Sequence, residues 1–501
     1  MPKRPHVVMV MTDQQKATAV DLYGGPVRTP QLSRLAAGGL LYEQAYTPHP
    51  LCVPARVAFW TGRWPHNTGA RTNETPMPRG EAHLAALLHD AGYTLGHFGK
   101  NHCFTLEDFD RSFTRVFEAG HGDRIGPGVT RVRSAPRPAA PARALVRHDG
   151  IQRPVARVRT EPPEESATYR VTEEACRFLE EEGQAPDDHP LALCVSIPDP
   201  HTPLQVPQPY ASRYPPESAP LPPWKDGEIE TKPERQQVYY RLQRQHDVTE
   251  ADVRLAASIY YGMIDFIDER IGYVLDTLDQ LGVRQDTIVV FTSDHGDYLG
   301  EHHLLGKSNA FYDCLVRVPL LLSWPGHLPE GERRPDLVST MDVMPTILRL
   351  LGLPVPAGVR GQALPGVPGA PPGREAIFAE YGAGGPPLTL ADVERLYPSG
   401  TPRPPNPLLR EREGQGHGKM VRTRRWKYTH DTLGEVDELY DLHEDPWELT
   451  NLAGDPRYAE VVAEMCLRLL DWTMETEDAR PVPLYYDQQL GRAPEAPEAG
   501  P

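Results

Sequence analysis

The residues Thr287-Ile-Val-Val-Phe-Thr-Ser-Asp-His-Gly296 form an apolar run of strand length that ends in two side chains able to bind a metal ion. A helical pattern precedes the run: Thr249 begins it as an N-terminal cap, and apolar residues recur at helical spacing over residues 253–278. A long helix leading into a buried strand is typical of an open α/β sheet, which binds ligands at the carboxyl ends of its strands. We therefore expect Asp294 and His295 to lie at a ligand site.

Other apolar runs of strand length alternate with helical patterns along the first three quarters of the chain. This alternation predicts the α/β class, with a large mixed, mostly parallel sheet sandwiched by helices. The runs are His6–Met11, Thr94–Phe98, Leu191–Ser196 and Leu320–Ser323. Asp13, Lys100 and His201 follow three of these runs closely, so the strand ends would bring them to the edge where the ligand site is predicted.

The pattern predicts two structural units. A catalytic α/β domain would cover residues 1–373, with an insertion rich in Pro and Arg at about 120–163 and a second long loop at about 365–418. A small α+β subdomain with an antiparallel sheet would cover residues 374–485, and residues 486–501 would form a disordered tail. The predicted elements of the subdomain are Ala376–Tyr381, Lys419–Tyr428, Glu438–Leu442 and a helix near Ala459–Glu475.

The amino-acid composition limits which classes of partner the chain can bind. With 501 residues, 39% of them apolar, the chain can bury a large core. Its formal charge of −17 repels nucleic acid and anionic lipid, so neither is an expected partner. The six cysteines form no CxxC pair, which argues against disulfides. No signal peptide or membrane span is expected, so we predict a cytoplasmic protein, and the sequence leaves a homo-oligomer open.

A second motif lies at Leu51-Cys-Val-Pro-Ala-Arg-Val-Ala-Phe-Trp-Thr-Gly-Arg63, a CxPxR pattern followed by TGR. Taken alone, CxPxR is explained equally well by a buried thiol before a helix. Three other stretches accompany it, at residues 6–14, 29–40 and 438–453. In this order the four stretches resemble type I sulfatases of the alkaline phosphatase superfamily, close to the branch that includes phosphonate monoester hydrolases. The resemblance implies the alkaline phosphatase-like fold.

The resemblance also implies a modified nucleophile. In this family a formylglycine-generating maturation enzyme oxidises the CxPxR cysteine, here Cys52, to Cα-formylglycine, which is hydrated to a geminal diol. One hydroxyl attacks sulfur as a covalent nucleophile. Once the alcohol has left, the second hydroxyl of the sulfated residue loses its proton, and the residue collapses to the aldehyde and expels sulfate. Arg56, the arginine of the motif, would connect the modified residue to the charged groups around it.

One divalent metal ion is the second implied cofactor. The resemblance assigns its ligands to Asp13, Gln14, modified Cys52, Asp294 and His295. Two of these depart from the usual family pattern, because Gln14 replaces a second acid and His295 replaces an amide. The site is therefore less anionic and softer, so Mn²⁺ and Mg²⁺ stay open beside Ca²⁺, which we favour.

Four further residues are assigned to the substrate by resemblance. Gly99-Lys-Asn-His102 is similar to the GKWH element, in which Lys100 would hold a substrate oxygen and His102 would act as base toward the second hydroxyl. His201, in a PHxP loop, would face the leaving-group oxygen. Lys307 would contact the sulfate and help protonate that oxygen. Alone, each has an ordinary interpretation as a solvated or turn residue.

Three functions follow from these observations. The first is hydrolysis of a small-molecule sulfate monoester, as in arylsulfatases. The second is a phosphonate monoester or phosphodiester hydrolase that uses the same formylglycine and metal. Those relatives have Tyr and Thr types in place of a Lys-x-His pair, so Lys100 and His102 favour sulfate. The third, an inactive sulfatase-fold binding protein, would have lost at least one of the expected catalytic positions. The sequence contains no signal that identifies the alcohol part of the substrate.

Overall fold

The computed structural model describes residues 4–121, 156–183, 189–396, 398 and 413–478. Most of the predicted 120–163 insertion and the predicted 486–501 tail therefore lie outside the described residues. In chain order the strands are β1 His6–Asp13, β2 Gly39–Tyr46, β3 Thr94–Gly99, β4 Arg115–Glu118, β5 Ala156–Val158, β6 Leu191–Pro200, β7 Leu204–Val206, β8 Thr287–Ser293, β9 Leu320–Ser323, β10 Glu332–Ser339, β11 Ile377–Tyr381, β12 Gly418–Arg422, β13 Trp426–His430 and β14 Glu438–Asp441.

Eight of these strands form the central sheet, in the order β10-β2-β9-β8-β1-β6-β3-β4. Strand β1 pairs in parallel with β6 and β8, and β3 pairs in parallel with β6, whereas β9 runs antiparallel to both of its neighbours. The predicted mixed, mostly parallel sheet is thus confirmed.

Helices cover both faces of this sheet, and further helices lie outside it. The helices of the described residues are α1 Pro30–Ala37, α2 Cys52–Thr61, α3 Pro65–Thr68, α4 Leu84–Asp90, α5 Leu106–Ser112, α6 Ala167–Glu182, α7 Tyr210–Arg213, α8 Glu234–Leu242, α9 Glu250–Gln280, α10 Asp313–Val316, α11 Val343–Leu350, α12 Leu390–Leu396 and α13 Ala459–Thr476. Alternate residues of β1 point to opposite faces: Val8 and Val10 pack toward α6 and α9, and Val7 and Met9 pack toward α2, α4 and α11. The apolar run of β1 is therefore buried on both sides.

Three strands of the central sheet, β2, β4 and β10, were not predicted. Residues 29–40 look like one helix in the sequence, but α1 ends at Ala37 and β2 begins two residues later. Strand β10 lies at the edge of the sheet, and its first half alternates between exposed and half-buried residues, so it lacks an apolar signal.

The smaller sheet has the order β11-β12-β13-β14, and all of its pairs are antiparallel. Helix α13 packs against it through Met465, Leu469 and Trp472. The single strand predicted at Lys419–Tyr428 is wrong, because a turn divides this stretch into β12 and β13. Two short elements also occupy predicted loops: β5 pairs with β7, and α12 forms within residues 365–418.

All six cysteines lie in the described ranges and are free thiols, as expected. Among the helices of those ranges, none combines the length and the apolar character that crossing a bilayer would require.

Candidate active site

Four adjacent parallel strands deliver the predicted polar residues to one edge of the central sheet. Asp13 ends β1, Asp294 follows β8, His201 follows β6 and Lys100 follows β3. Gly99 allows the backbone before Lys100 to pass close to β6. Its φ is +110°, and a Cβ there would lie 1.9 Å from the carbonyl oxygen of Ser196.

Cys52 begins α2 beside this edge and is fully buried. Just before it, the Leu51 N–H donates to Nδ1 of the buried His49, 3.1 Å away. The Cys52 Sγ lies 2.8 Å from Lys307 Nζ and 3.1 Å from His295 Nε2. Burial and Asp13 oppose ionisation, yet Lys100, Lys307 and His295 together hold the pKa of the Cys52 thiol well below its usual value. The site thus favours an anion at this position.

Arg56 joins the two acidic strand ends. Its Nε donates to Asp294 Oδ2 at 2.8 Å, and its Nη2 donates to Asp13 Oδ2 at 3.0 Å. The third nitrogen, Nη1, donates to Ser196 Oγ at 2.7 Å. The side chain is almost completely buried, and each of its three guanidinium nitrogens donates to a fixed acceptor.

The donor set fits a divalent metal ion. One ligand atom each from Asp13, Cys52, Asp294 and His295 lies within 4.8 Å of all the others. The His295 Nδ1–H donates to the carbonyl oxygen of Gly296 at 2.9 Å, which leaves Nε2 turned toward the cluster, as a metal ligand requires. Gln14 adds an oxygen: its Nε2 donates to Asp297, whereas its buried Oε1 has no hydrogen-bond partner among the residues that the structure describes.

The surroundings shift the pKa values of the two carboxylates of the cluster in opposite directions. Burial raises the pKa of both groups. For Asp13 the charges of Lys100 and Arg56 outweigh burial and lower the pKa well below its usual value. For Asp294 burial and the neighbouring Asp13 charge raise the pKa. Asp13, which forms an ion pair with Lys100, is therefore the carboxylate that stays ionised most readily.

The family model described as Sulfatase matches residues 5–353 of this chain. The chain belongs to the sulfatase family. The choline-sulfatase of Rhizobium meliloti (strain 1021) is 29% identical over 95% of this chain and 88% of its own length. An uncharacterized sulfatase of Escherichia coli (strain K12) is also 29% identical, over 95% of this chain and 88% of its own length. This sulfatase is accordingly an enzyme that hydrolyses sulfuric esters.

Solved structures confirm the fold. A phosphonate monoester hydrolase of Agrobacterium radiobacter superposes with a TM-score of 0.74 at 24% identity, covering 94% of this sulfatase and 96% of its own chain. A structure described as a 2-O GAG sulfatase gives a TM-score of 0.70 at 23% identity, covering 95% and 93%. The alkaline phosphatase-like architecture expected from the resemblance is therefore present.

The sulfatase does not bring every predicted residue to the cluster. Asp13, Gln14, Cys52, Arg56, Lys100, Asp294, His295 and Lys307 converge there, and His201 approaches Asp13. His102, in contrast, has an exposed side chain on a backbone with φ of 58°. In the part of the chain that the structure describes, no hydrogen bond joins His102 to the cluster.

Sequence reasoning missed three residues of the site. His49 accepts the N–H of Leu51, just before Cys52, and Asn73 Oδ1 accepts the N–H of Val53, 3.2 Å away, in the first turn of α2. His121 stacks on His201, with ring centroids 3.6 Å apart. None belongs to a recognisable motif. The one available signal for His121 was its position, three residues after β4 and at the start of the Pro- and Arg-rich stretch.

Proposed function

We propose that this sulfatase cleaves sulfate monoesters with a formylglycine hydrate, made from Cys52, as its nucleophile. The observation that carries the proposal is the position of the Cys52 Sγ. It contacts Lys307 and His295, and it belongs to the same group of ligand atoms as Asp13 and Asp294. A nucleophile formed there would stand between a cation site and a lysine ammonium, and a formylglycine-generating enzyme would be required to make it.

The metal site would be formed by Asp13, Gln14, Asp294, His295 and the modified residue 52. The buried, unpartnered Oε1 of Gln14 supports this assignment, because a buried carbonyl oxygen without a partner is costly unless a cation or water satisfies it. When bound, a divalent ion would supply positive charge that favours the ionised nucleophile and binds a sulfate oxygen. We favour Ca²⁺, and Mg²⁺ and Mn²⁺ stay open.

The basic side chains would bind the sulfate group. Arg56, Lys100 and Lys307, together with a divalent ion and less two carboxylates, give the site a formal charge of about +3. Such a site binds a sulfate ester anion and stabilises the negative charge that its oxygens carry in the transition state. All three guanidinium nitrogens of Arg56 donate within the protein, so we assign Arg56 to positioning Asp13 and Asp294 and assign the contacts with the ester to Lys100 and Lys307.

His201 would face the leaving-group oxygen. It follows β6 on the Lys100 side of the site, and its ring nitrogen lies near an oxygen of Asp13. His102 remains a prediction from the sequence, and its exposed side chain gives it no contact with the nucleophile in this conformation. We therefore assign the substrate contacts to Lys100, His201 and Lys307, and not to His102.

A second candidate function is hydrolysis of phosphonate monoesters or phosphodiesters. The Asp13-Gln14 pair and the His295 ligand favour it, because the branch with that activity carries the same types. Lys100 argues for sulfate, since the phosphonate branch has a Tyr type there. In this structure the Lys100 ammonium forms an ion pair with Asp13 within the buried cluster.

One experiment separates these possibilities. The enzyme is co-expressed with the maturation enzyme, loaded with metal and assayed with 4-nitrophenyl sulfate, 4-nitrophenyl phosphate, bis(4-nitrophenyl) phosphate and a 4-nitrophenyl phenylphosphonate ester. We expect the highest kcat/KM with the sulfate. A preference of several orders of magnitude for the diester or the phosphonate would replace the first proposal by the second.

Mass spectrometry of the tryptic peptide that contains position 52 provides the companion test. Conversion to formylglycine removes the thiol sulfur and gives an aldehyde that reacts with hydrazides. Protein expressed without the maturation enzyme should retain the thiol and lack turnover. Full turnover with an intact thiol at position 52 would refute the proposed nucleophile.

A further inference from the structure

A second set of polar atoms converges beside the nucleophile. One carboxylate oxygen of Asp13 and one ring nitrogen each from His121 and His201 lie within 4.8 Å of one another. The two imidazole rings are stacked, with centroids 3.6 Å apart and planes inclined by 20°. Because His121 follows β4 and His201 follows β6, the sheet brings the two histidines together from well-separated parts of the chain.

The hydrogen bonding of His201 limits what it can offer to a substrate. Its Nδ1 lies 2.7 Å from the carbonyl oxygen of Thr202. A carbonyl only accepts, so the Nδ1 carries the proton, and the neutral ring has an unprotonated Nε2. In that state His201 can lie against the leaving-group oxygen, but it cannot donate the hydrogen bond that would stabilise the negative charge gained there.

His121 has no such restriction. Its Nδ1 is buried and makes no hydrogen bond in the described part of the protein. The ring can therefore place its proton on the nitrogen that faces a ligand, while the stack on His201 fixes the plane of the ring. A buried imidazole nitrogen without a hydrogen-bond partner among the described residues needs one, and a bound substrate can provide it.

The surrounding charge indicates what kind of partner fits. Lys100 forms an ion pair with Asp13, and Lys307 contacts Cys52 close by. A second metal ion between Asp13 and the two histidines would stand next to these ammonium groups and the proposed metal site, with a large Coulomb cost. An oxygen that carries negative charge fits the same space favourably.

We propose that His121 is a further substrate-contacting residue of this sulfatase, whose neutral ring donates a hydrogen bond to the ester oxygen that becomes the leaving group. This inference rests on the proposed function. His121 would act beside Lys307, and His201 would hold its ring in place. The contact grows stronger as the bond between sulfur and that oxygen lengthens, because the oxygen then gains charge.

The test uses variants that separate stacking from hydrogen bonding. His121→Phe keeps an aromatic ring against His201 and removes both nitrogens, whereas His121→Asn keeps a donor and removes the stack. His89→Ala, at a half-exposed histidine remote from the cluster in sequence, is the matched control. Metal content and thermal unfolding are measured for each variant, so that loss of metal or of folding is recognised.

Each enzyme is assayed with aryl sulfates whose phenols span a range of pKa. We expect His121→Phe to lower kcat/KM about 10²- to 10³-fold, the usual cost of one donor at a developing oxyanion. The loss should grow as the phenol becomes a poorer leaving group. In a Cys52→Ala background, which cannot turn over, 4-nitrophenyl sulfate should bind more weakly to the His121→Phe variant.

Two results would overturn the inference. One is a His121→Phe enzyme with the kcat/KM and leaving-group dependence of the wild type. The other is an equal loss for every leaving group, which indicates that His121 only positions His201. Failure of the proposed function is distinct: a wild type that cleaves phosphonates but not sulfates refutes the sulfate substrate. The same variants assayed with aryl phosphonates then still decide whether His121 contacts the leaving oxygen.

Discussion

Arg56 shows how much of the site depends on single residues. Two buried carboxylates meet at the ends of neighbouring strands, and their charges would repel each other without a shared cation. The planar guanidinium of Arg56 donates to both and also to Ser196. A lysine ammonium is a point charge and cannot reproduce this three-way geometry.

We therefore predict that Arg56→Lys lowers kcat/KM for 4-nitrophenyl sulfate at least 100-fold and destabilises the protein by about 3 kcal/mol, the cost of an imperfectly paired buried charge. Steady-state kinetics and urea unfolding measure the two effects. Arg34→Lys, at an exposed ion pair with Asp276, is the control and should change neither quantity measurably. A fully active Arg56→Lys enzyme would contradict the proposed positioning role.

Gln14 gives a second prediction at this scale. Because its buried Oε1 lacks a protein partner, Gln14→Ala should weaken metal binding about tenfold or more, whereas Gln14→Glu should strengthen it by adding a charged ligand. Titration of the apoenzyme with Ca²⁺ or Mn²⁺, followed by calorimetry, gives both affinities. Unchanged affinity in both variants would exclude Gln14 as a ligand.

At the scale of elements, the N-terminus of helix α1 is capped by a residue of another helix, α9. Its preceding residue, Thr29, makes no side-chain cap. Instead, Asp268 of α9 accepts the backbone N–H groups of Gln31 at 3.0 Å and Leu32 at 2.9 Å. Burial nevertheless raises the pKa of Asp268 to about 7, so the charged form of this cap is held at a cost.

Removal of the Asp268 cap should change the free energy of unfolding measurably. We predict that Asp268→Ala lowers the free energy of unfolding by about 2 kcal/mol, because two buried N–H groups lose their acceptor. Asp268→Asn retains one acceptor and should lose less. Since the folded-state pKa is raised, the wild type loses stability as the pH rises from about 4 to about 7. Urea unfolding should therefore show the deficit of Asp268→Asn shrinking over that range, and a constant deficit would refute the assignment.

At the scale of the whole molecule, Glu380 connects the two sheets. It lies on β11, accepts hydrogen bonds from the backbone and the Nδ1 of His66 in α3, both at 2.8 Å, and pairs with Lys419 of β12. His66 also reaches Thr476 at the end of α13 through its Nε2. The smaller sheet is thus held against the central unit by a buried polar contact as well as by apolar packing.

Burial opposes the charge of Glu380, but the hydrogen bond from His66 and the charge of Lys419 hold its pKa well below the usual value. Its contribution to stability is therefore present above pH 4.5 and is lost as the pH falls toward the lowered pKa. We predict that Glu380→Gln costs about 3 kcal/mol at pH 7 and that the difference from the wild type shrinks below pH 4.5. Urea unfolding at several pH values tests this, with the exposed Glu375→Gln as control.

The sequence by itself determined the strand-forming runs and the acidic and basic residues that follow them, since apolar period and strand length are local properties. From these the open α/β sheet and its reactive edge could be predicted. The edge strand β10 and the hairpin turn within residues 419–428 could not be predicted, because their residue patterns depend on which neighbouring elements cover them.

Tertiary structure alone decided which histidines lie beside the cluster. His102 belongs to a motif and lies at the surface, whereas His121 belongs to none and stacks on His201. The same holds for His49, Asn73 and Asp268, whose partners are set by the packing of separate elements. Motifs record residue types at fixed spacing along the chain, but a hydrogen bond between distant segments depends on where the backbone places each ring and carboxylate in space.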